Sequence, residues 1–462
     1  MLRLQPAKSI SGKYDLPPST DLLYLSALAG CAGGLTLKFP HVPSTPLTQE
    51  IKKSLEGMVT IDCTDTAWTL TPIQDDPAVF LRIPEALFPY QEYFLFIGLG
   101  MGKTVHVQGA SEKRIQNWIE KAKHVGIICQ TVMLDQSTAI QCQEFTPETT
   151  LDKEVQEEYA GLLISFLFGA RKAHTFLLNS FFSNPLRPII SALGFKLKLK
   201  NLTPTEQEED LLAKRIRFLQ SRKKTEPNQK QTNSVEADFT KSRFSSEVEI
   251  RVPGDETLAA VLIVAKCLIP RGAFVIGNVP LESWNTQILN FARKAGCKFT
   301  IQEKPRSSYG ANGLITLQKH DLNGRKMHCS PLYQFKASLP GMIILASFAQ
   351  AQSVFRGLED FRLDTPDGID VLEKCIRLLG ARHGEMPDGI VLEGSKYLDG
   401  FDLTEPLPPH ISGAMVAAGL RCMGETTVCD ELILRRWPDF QNLISSVCEF
   451  RSRNTKKEEK KA

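Results

Sequence analysis

A two-domain α/β fold built from repeated helix–strand units is what this sequence predicts, and three observations carry the prediction. The chain has 462 residues, more than a single hydrophobic core ordinarily organises. Five times an amphipathic helix runs through a glycine into a strand. Between the third and fourth of these passages the apolar pattern stops, over residues 203–246, and then resumes.

The first passage takes Ile51 to Leu55 through Gly57 into Met58-Val59-Thr60-Ile61. In the second, Ile115, Trp118, Ile119 and Ala122 precede Gly126 and Ile127-Ile128-Cys129. Ile189, Ile190 and Leu193 then lead through Gly194 into the alternating Phe195 to Leu199. Ile288, Leu289, Phe291 and Ala292 lead to Gly296 and Cys297 to Ile301. Finally Val371, Leu372, Cys375, Ile376 and Leu379 reach Gly380 and a strand ending Gly389-Ile390-Val391-Leu392. In each, a stripe at helical spacing buries one face, and glycine supplies the left-handed turn that ends the helix. One unit cannot bury its own apolar face. Recurrence at roughly 70 to 100 residues therefore predicts duplicated units packed together.

Within the break, Gln207 to Asp210 is acidic, Lys214 to Lys224 basic, and Pro227 to Ser234 polar without an apolar period. This reads as a short charged helix followed by a flexible linker, an insertion over 203–246. Glu247 to Val252 alternates charged and β-branched residues, the pattern of a strand with one buried face, so a domain boundary is expected near Ser246. Residues 451–462, rich in Lys and Glu, read as a solvated tail.

Composition is that of a soluble globular protein, 42% hydrophobic and 23% charged. With 55 basic against 52 acidic residues, the formal charge of +3 gives no case for a nucleic-acid or membrane partner. Met1 to Ser11 lacks the apolar core of an export signal, and stretches such as Ala160 to Phe168 are too short to span a bilayer. Eleven cysteines are dispersed without a Cys-x-x-Cys pair, which predicts reduced thiols and a cytoplasmic setting. Eight equally dispersed histidines give no metal-ligand spacing, and no cofactor is expected.

Leu4-Gln5-Pro6 through Ile10-Ser11-Gly12 into Leu16-Pro17, and the helix Leu22 to Gly30, resemble the opening of 5-enolpyruvylshikimate-3-phosphate (EPSP) synthase. Val252-Pro253-Gly254-Asp255, followed by an apolar helix around Ala259 to Val261, resembles that family's strand–Gly-Asp–helix element at the second domain crossing. Gly357 to Leu363 with Asp367-Gly368-Ile369 resembles the segment carrying its Glu-x-Asp-Arg. Ala414 to Leu420 and Trp437-Pro438-Asp439-Phe440 resemble its Asp-His-Arg helix and final Phe-Pro-Asp-Phe. The resemblance covers most of the chain and rests on the order and spacing of these motifs. It implies the enolpyruvyl transferase fold, an inside-out α/β barrel in two domains, each of three βαβαββ-like units, with the active site in the cleft between them. The implied domains are 1–14 with 247–450, and 15–246; the chain crosses near Ser11 to Pro17 and again near Ser246.

The resemblance also implies an activity, transfer of the enolpyruvyl group of phosphoenolpyruvate to shikimate 3-phosphate, in the shikimate pathway of aromatic amino acid biosynthesis. Two anionic substrates require several Lys and Arg, and proton transfer requires carboxylates. This sequence departs from the pattern at most of those positions. Where the family has Gly-Ser-Lys-Ser and then Asn-Arg, Pro18-Ser19-Thr20-Asp21 stands. Phe88 to Tyr93 replaces Asn-Ala-Gly-Thr and an arginine, and Val155-Gln156-Glu157-Glu158 replaces the Ser-Ser-Gln phosphate cradle. The catalytic aspartate is replaced by Gly341, or by Ala337 if the alignment carries no gap; Glu-x-Asp-Arg reads Thr365-Pro366-Asp367-Gly368, and Asp-His-Arg reads Pro408-Pro409-His410.

The remaining catalytic candidates are Asp367 and His410; the substrate-binding candidates are Ser19, Lys336, Arg435 and Arg436. Plainer roles are open to the two catalytic candidates and to Asp255. Asp367 in Pro-Asp-Gly reads as a turn residue, Asp255 as a helix N-cap, and His410 as a surface histidine at a helix start. Gly98 to Lys103 lacks phosphate-loop spacing and precedes the strand Thr104 to Val107.

The leading expectation is a pseudoenzyme that keeps the fold and serves a binding or regulatory role, with a protein partner or a small anionic or polar ligand in the cleft. A second is an active 3-phosphoshikimate 1-carboxyvinyltransferase with a rearranged cleft; convergence there of four or more of Lys13, Lys103, Arg171, Lys172, Lys336, Arg435 and Arg436 would favour it. A third is a less anionic ligand held by Phe88, Tyr90, Tyr93 and Tyr159.

Overall fold

The computed structural model describes residues 1–451 except 65, 74–79, 88–89, 135–136, 147–153, 156, 179–184, 196, 202–232, 241–246, 283–285, 306–308, 319–321, 330–334 and 364–367. Three short strands open the chain, β1 (Leu2–Leu4), β2 (Ala7–Ile10) and β3 (Gly12–Asp15). A first body follows: α1 (Thr20–Gly33), β4 (Thr36–Phe39), α2 (Pro46–Leu55), β5 (Val59–Cys63) and β6 (Trp68–Pro72). It continues with β7 (Leu81–Ile83), α3 (Gln91–Gly100), β8 (Val105–Val107), α4 (Glu112–His124), β9 (Ile127–Leu134) and β10 (Ser137–Phe145). It ends with β11 (Glu154–Val155), α5 (Glu157–Gly169), β12 (Ala173–Leu178), α6 (Leu186–Ala192), β13 (Leu197–Asn201), β14 (Asn233–Asp238) and β15 (Glu247–Glu249).

The second body begins with α7 (Glu256–Leu268), β16 (Phe274–Pro280), α8 (Gln287–Lys294), β17 (Phe299–Glu303) and β18 (Asn312–Leu317). Next come β19 (Lys326–His328), α9 (Leu339–Ser347), β20 (Gln352–Arg356), a 3₁₀ turn (Glu359–Leu363), α10 (Gly368–Leu378), β21 (Arg382–Met386) and β22 (Gly389–Glu393). Last are β23 (Asp402–Leu403), α11 (Pro409–Gly419), β24 (Thr426–Val428), α12 (Glu431–Arg436), α13 (Phe440–Val447) and β25 (Cys448–Phe450).

Five four-stranded sheets share one topology, a parallel outer pair followed by two antiparallel pairings. Their orders are β15-β4-β6-β5, β7-β8-β10-β9, β11-β12-β14-β13, β3-β16-β18-β17 and β19-β20-β22-β21. A sixth unit pairs β23 with β24 and β24 with β1, while β2 pairs β25. The predicted duplication is therefore present, and the five helix-ending glycines, Gly57, Gly126, Gly194, Gly296 and Gly380, all have the positive φ the pattern required.

In each body three helices stand at the centre: α1, α3 and α5 in the first, α7, α9 and α11 in the second. Each is apolar on nearly every side, the signature of a helix surrounded by protein. The stripe-bearing helices α2, α4, α8, α10 and α13 bury one face only. Where α3 meets α5 the backbones nearly touch: a Cβ on Gly169 would lie 2.2 Å from the Ile97 carbonyl oxygen, and one on Gly100 2.3 Å from that of Phe166. Two hydrophobic cores result, one from Leu22 to Val252 and one uniting Leu4 to Leu16 with Leu258 to Cys448.

Two expectations need correction. Asn233 to Asp238, read as the end of a polar linker, is strand β14, with Val235 and Ala237 fully buried between β12 and β13. The alternation spans only two apolar residues, too few to stand out against the polar stretch before them. The residues expected to form a charged helix, up to 232, lie outside the described residues. The strand starting at Glu247 pairs in parallel with β4 of the first body, so the chain crosses at Val252 to Asp255 rather than at Ser246. There it runs beside the first crossing, Ser19 N–H donating to the Pro253 carbonyl (2.8 Å) and Asp255 N–H to that of Pro17 (2.8 Å). Gly254 is required at this approach, since a Cβ would meet the Asn278 carbonyl at 2.3 Å.

Candidate functional site

Both crossings feed directly into the head of a central helix, and this places acidic residues of the two bodies side by side. Ser19, fully buried, caps α1 through its Oγ, which accepts from Leu22 N–H (3.4 Å). Asp255 caps α7, its Oδ1 accepting from Thr257 and Leu258 N–H (both 2.9 Å), as the sequence led us to expect. Its second oxygen does other work. Asp255 Oδ2 accepts from Arg436 Nε (3.1 Å) and Nη2 (2.9 Å) and from Trp437 Nε1 (3.2 Å).

Arg436, at the C-terminal end of α12, is 2% exposed. Its Nη2 also pairs with Asp21 Oδ2 in the first turn of α1, and its Nη1 donates to the Ala86 carbonyl (3.3 Å). One guanidinium thus faces Asp21, Asp255 and the neighbouring Glu256, all buried. Burial raises Asp21 to about 7 against the opposing pull of Arg436, and burial with the charge of Asp255 raises Glu256 to about 8. Tyr90 is also pushed up, first by burial and then by Glu256 and Asp21.

A second cluster surrounds Glu92, in the first turn of α3. Lys336 from the second body lies 3.6 Å from its Oε1; Arg114 (3.5 Å) and Lys121 (3.6 Å) reach the same atom from α4, and Trp118 Nε1 donates to it (3.2 Å). Burial opposes ionisation of Glu92, but these cations overcome it and hold its carboxyl well below the usual range. Lys121 in turn bridges to Asp360 in the 3₁₀ turn (2.7 Å). Arg435 joins α12 to Glu50 of α2, its Nη2 2.5 Å and its Nε 2.7 Å from Oε1. Among the described residues, four ion-pair contacts tie the bodies together: Arg436–Asp21, Lys336–Glu92, Lys121–Asp360 and Arg435–Glu50.

His410 opens α11 close enough to feel Arg436 and Lys336 both. The surface position expected for it is a misreading: it is 4% exposed, because α11 is a central helix. Burial, then the two cations, lower it to about 3, so it is neutral at ordinary pH. Asp367, with Thr365 and Pro366, lies outside the described residues, as do Phe88 and Gln156. Gly341 sits in the first turn of α9, where a Cβ would meet Val264 Cγ2 at 2.8 Å; Ala337 is half-buried.

Of the seven candidate cations, Lys336, Arg435 and Arg436 lie between the bodies, and all three are paired there. Lys13 pairs with Asp15 at the surface (3.3 Å). Arg171 Nε donates to the Ala32 carbonyl (2.8 Å), Lys172 sits 5.0 Å from the Phe145 ring centre, and Lys103 is buried at the end of α3. Tyr90 and Tyr93 belong to the core of the first body, and Tyr159 stacks on His124. The strand expected after Gly98 to Lys103 is β8.

Sequence reasoning missed Asp21, Glu92, Glu256, Lys121 and Tyr309 as parts of this boundary. A signal was present for three of them, Asp21, Glu92 and Glu256: a carboxylate at the first or second position of an otherwise apolar helix. Such a helix is central, its N-terminus faces the other body, and an acid there occupies the place where a helix dipole would favour a bound anion. Tyr309 comes from the β17–β18 connection of the second body yet packs in the core of the first, its hydroxyl donating to the Leu22 carbonyl (2.7 Å) and contacting Ser26.

Residues 224–444 match the family model of EPSP synthase (3-phosphoshikimate 1-carboxyvinyltransferase). The 3-phosphoshikimate 1-carboxyvinyltransferase of Desulfitobacterium hafniense is 27% identical over 202 residues, 44% of this chain and 46% of that one. That of Streptococcus sanguinis is 28% identical over 197 residues, 42% of this chain and 45% of its own. The match spans about half the length of these curated relatives. The EPSP synthase structure from Acinetobacter baumannii superposes with a TM-score of 0.65 at 16% identity, covering 96% of this chain and 98% of that one. The enolpyruvyl transferase NikO from Streptomyces tendae gives 0.61 at 12% identity, covering 97% and 98%. With the repeated units, the two crossings and the superpositions together, the chain has the enolpyruvyl transferase fold, and its residues 224–444 resemble EPSP synthase.

Proposed function

We propose that this chain is an enolpyruvyl transferase homologue without transferase activity, whose interdomain cleft is neutralised and held shut by its own side chains, and which serves a binding or regulatory role. The observation that carries the reading is Arg436 enclosed by Asp21 and Asp255. A phosphate would have to displace one of those carboxylates. Breaking a buried ion pair by removing one partner costs about 3–5 kcal/mol, so an anionic ligand begins at that disadvantage. Acids at the heads of α1, α3 and α7 oppose an anion further. On this reading the partner is a protein, or a small polar ligand tolerant of acidic surroundings.

One observation favours a second reading, an active 3-phosphoshikimate 1-carboxyvinyltransferase with a rearranged cleft. Around Glu92, three cations, Arg114, Lys121 and Lys336, converge on one carboxylate oxygen. An anion that displaced Glu92 would inherit Arg114, Lys121 and Lys336.

Phosphate release from phosphoenolpyruvate in the presence of shikimate 3-phosphate, with purified protein at high concentration, separates the two. No release above the protein-free control is expected. Release that co-purifies with the protein and disappears in Lys336→Met would overturn the proposal and establish the second reading.

A further inference from the structure

Eleven cysteines were expected to be scattered thiols, yet the fold brings two of them face to face on a surface hairpin. Cys129 on β9 stands directly opposite Cys142 on β10 in the antiparallel register. Directly opposed residues place their Cβ atoms about 4.5–5.5 Å apart, and a disulfide needs about 3.5–4.5 Å with Cα atoms about 4.4–6.8 Å apart. The remaining gap is a small closure of the pair. Each thiol lies close enough to perturb the other's ionisation, and both are half-buried, so a small oxidant can reach them. Lys172 places its positive charge near Cys142 while resting on the Phe145 ring beside it.

We propose that Cys129 and Cys142 form a modification site at which a hydroperoxide produces a cross-strand disulfide. The thiolate of Cys142 attacks one peroxide oxygen and the O–O bond breaks. The departing oxygen takes up a proton and leaves as water or an alcohol, and Cys142 becomes a sulfenic acid. The Cys129 sulfur then attacks the Cys142 sulfur; the S–O bond breaks, and the hydroxide leaves as water with the Cys129 proton. Two thiols have supplied two electrons, and one peroxide has been reduced.

The roles follow from the surroundings. The neighbouring Cys129 lowers Cys142, and Lys172, resting on the adjacent Phe145 ring, is the nearby cation that assigns Cys142 as the attacking sulfur. The same proximity raises Cys129, which suits it to resolve the sulfenic acid. The other thiols are less apt. Cys267 and Cys297 also lie near one another, but both are buried in the second core, 2% and 3% exposed. Burial pushes Cys329, Cys375, Cys422 and Cys448 up to about 12. Cys63 is exposed beside Lys52 (3.5 Å) with a lysine, not a thiol, as its partner.

The test treats the reduced full-length protein with one equivalent of hydrogen peroxide, then measures intact mass and maps peptides without reduction. A loss of two hydrogens and a peptide linking Cys129 to Cys142, both reversed by dithiothreitol, is expected. In Cys129→Ser the link is lost, and dimedone labels Cys142 at least as heavily as any other cysteine. Circular dichroism of that variant confirms that it is folded. An unchanged mass in the parent protein overturns the proposal, and so does a disulfide joining any other pair. Dimedone labelling centred on Cys63 in Cys129→Ser overturns the assignment of Cys142 as the attacking sulfur.

Discussion

Arg436 and Asp21 lie 415 positions apart in the chain and meet as an ion pair from which water is excluded, the arginine 2% and the aspartate 0% exposed. Asp255 completes the arrangement from the second crossing. Replacing Arg436 with Met leaves both carboxylates facing each other without a counter-charge. The expected loss is about 3–5 kcal/mol of stability, read from urea unfolding, with an increased radius of gyration in solution scattering. Adding Asp21→Asn to Arg436→Met should restore part of the loss. A single Arg436→Met protein as stable as its parent would exclude the pair as a fastener.

The same cluster sets a pH dependence whose sign can be worked out. Asp21 and Glu256 are raised when folded, to about 7 and about 8, from 3.8 and 4.5. Groups raised on folding stabilise fully below their unfolded values, and that contribution drains away as pH climbs through the folded values. His410 works in the opposite sense, but only below its unfolded value of 6.5. From pH 6.5 to about 8, therefore, the carboxyls act without opposition from it. The thermal midpoint should fall across this window, and Glu256→Gln should flatten the fall. A midpoint that rises from pH 6.5 to 8 would contradict the assignment.

Tyr309 fastens the bodies by other means, a ring from one inserted in the core of the other. Tyr309→Phe keeps the ring and loses the hydrogen bond to Leu22, an expected cost of about 1–2 kcal/mol. Tyr309→Ala removes the ring as well and should cost about 3–5 kcal/mol. Limited proteolysis should find the Ala variant opened and the Phe variant protected. Equal losses in the two would mean that the ring contributes nothing.

Lys266 is fully buried, its ammonium donating to the carbonyls of Gly272 (2.7 Å), Arg271 (2.8 Å), Ile269 (3.3 Å) and Ile10 (3.4 Å). Lys266→Met matches its length and leaves four acceptors without their donor. A loss of about 3 kcal/mol or more is expected in chemical denaturation, since each unsatisfied buried group costs about 1–3 kcal/mol. A loss under about 1 kcal/mol would show that water enters in place of the ammonium.

What could be read in the sequence is what depends on near neighbours. Gly126 and Gly380 announce their turns because a positive φ is a property of one residue and its helix. Asp255 announces its cap because the N–H groups it serves lie two and three positions on. Arg436 was legible as a cation near the site, but not as a neutralised one, because its partner's identity is set by a pairing across the whole chain. His410 was misplaced because two prolines before it look like a surface turn, although the apolar Ile411 to Gly419 that follows marks a central helix. β14 was lost because only Val235 and Ala237 carry its pattern.

The crossings also dictate an order of assembly. β1, β2 and β3 emerge from the ribosome long before their partners β24, β25 and β16, which lie far along the chain. At about 5–20 residues per second of synthesis, β1 waits tens of seconds for β24. During that wait residues 2–15 are strands without a sheet, with open edges. The first body waits too, though less, for β15 to complete its outer pair. A nascent chain therefore holds β1 unpaired throughout the synthesis that separates it from β24, and chaperone capture there would be most valuable before β24 appears.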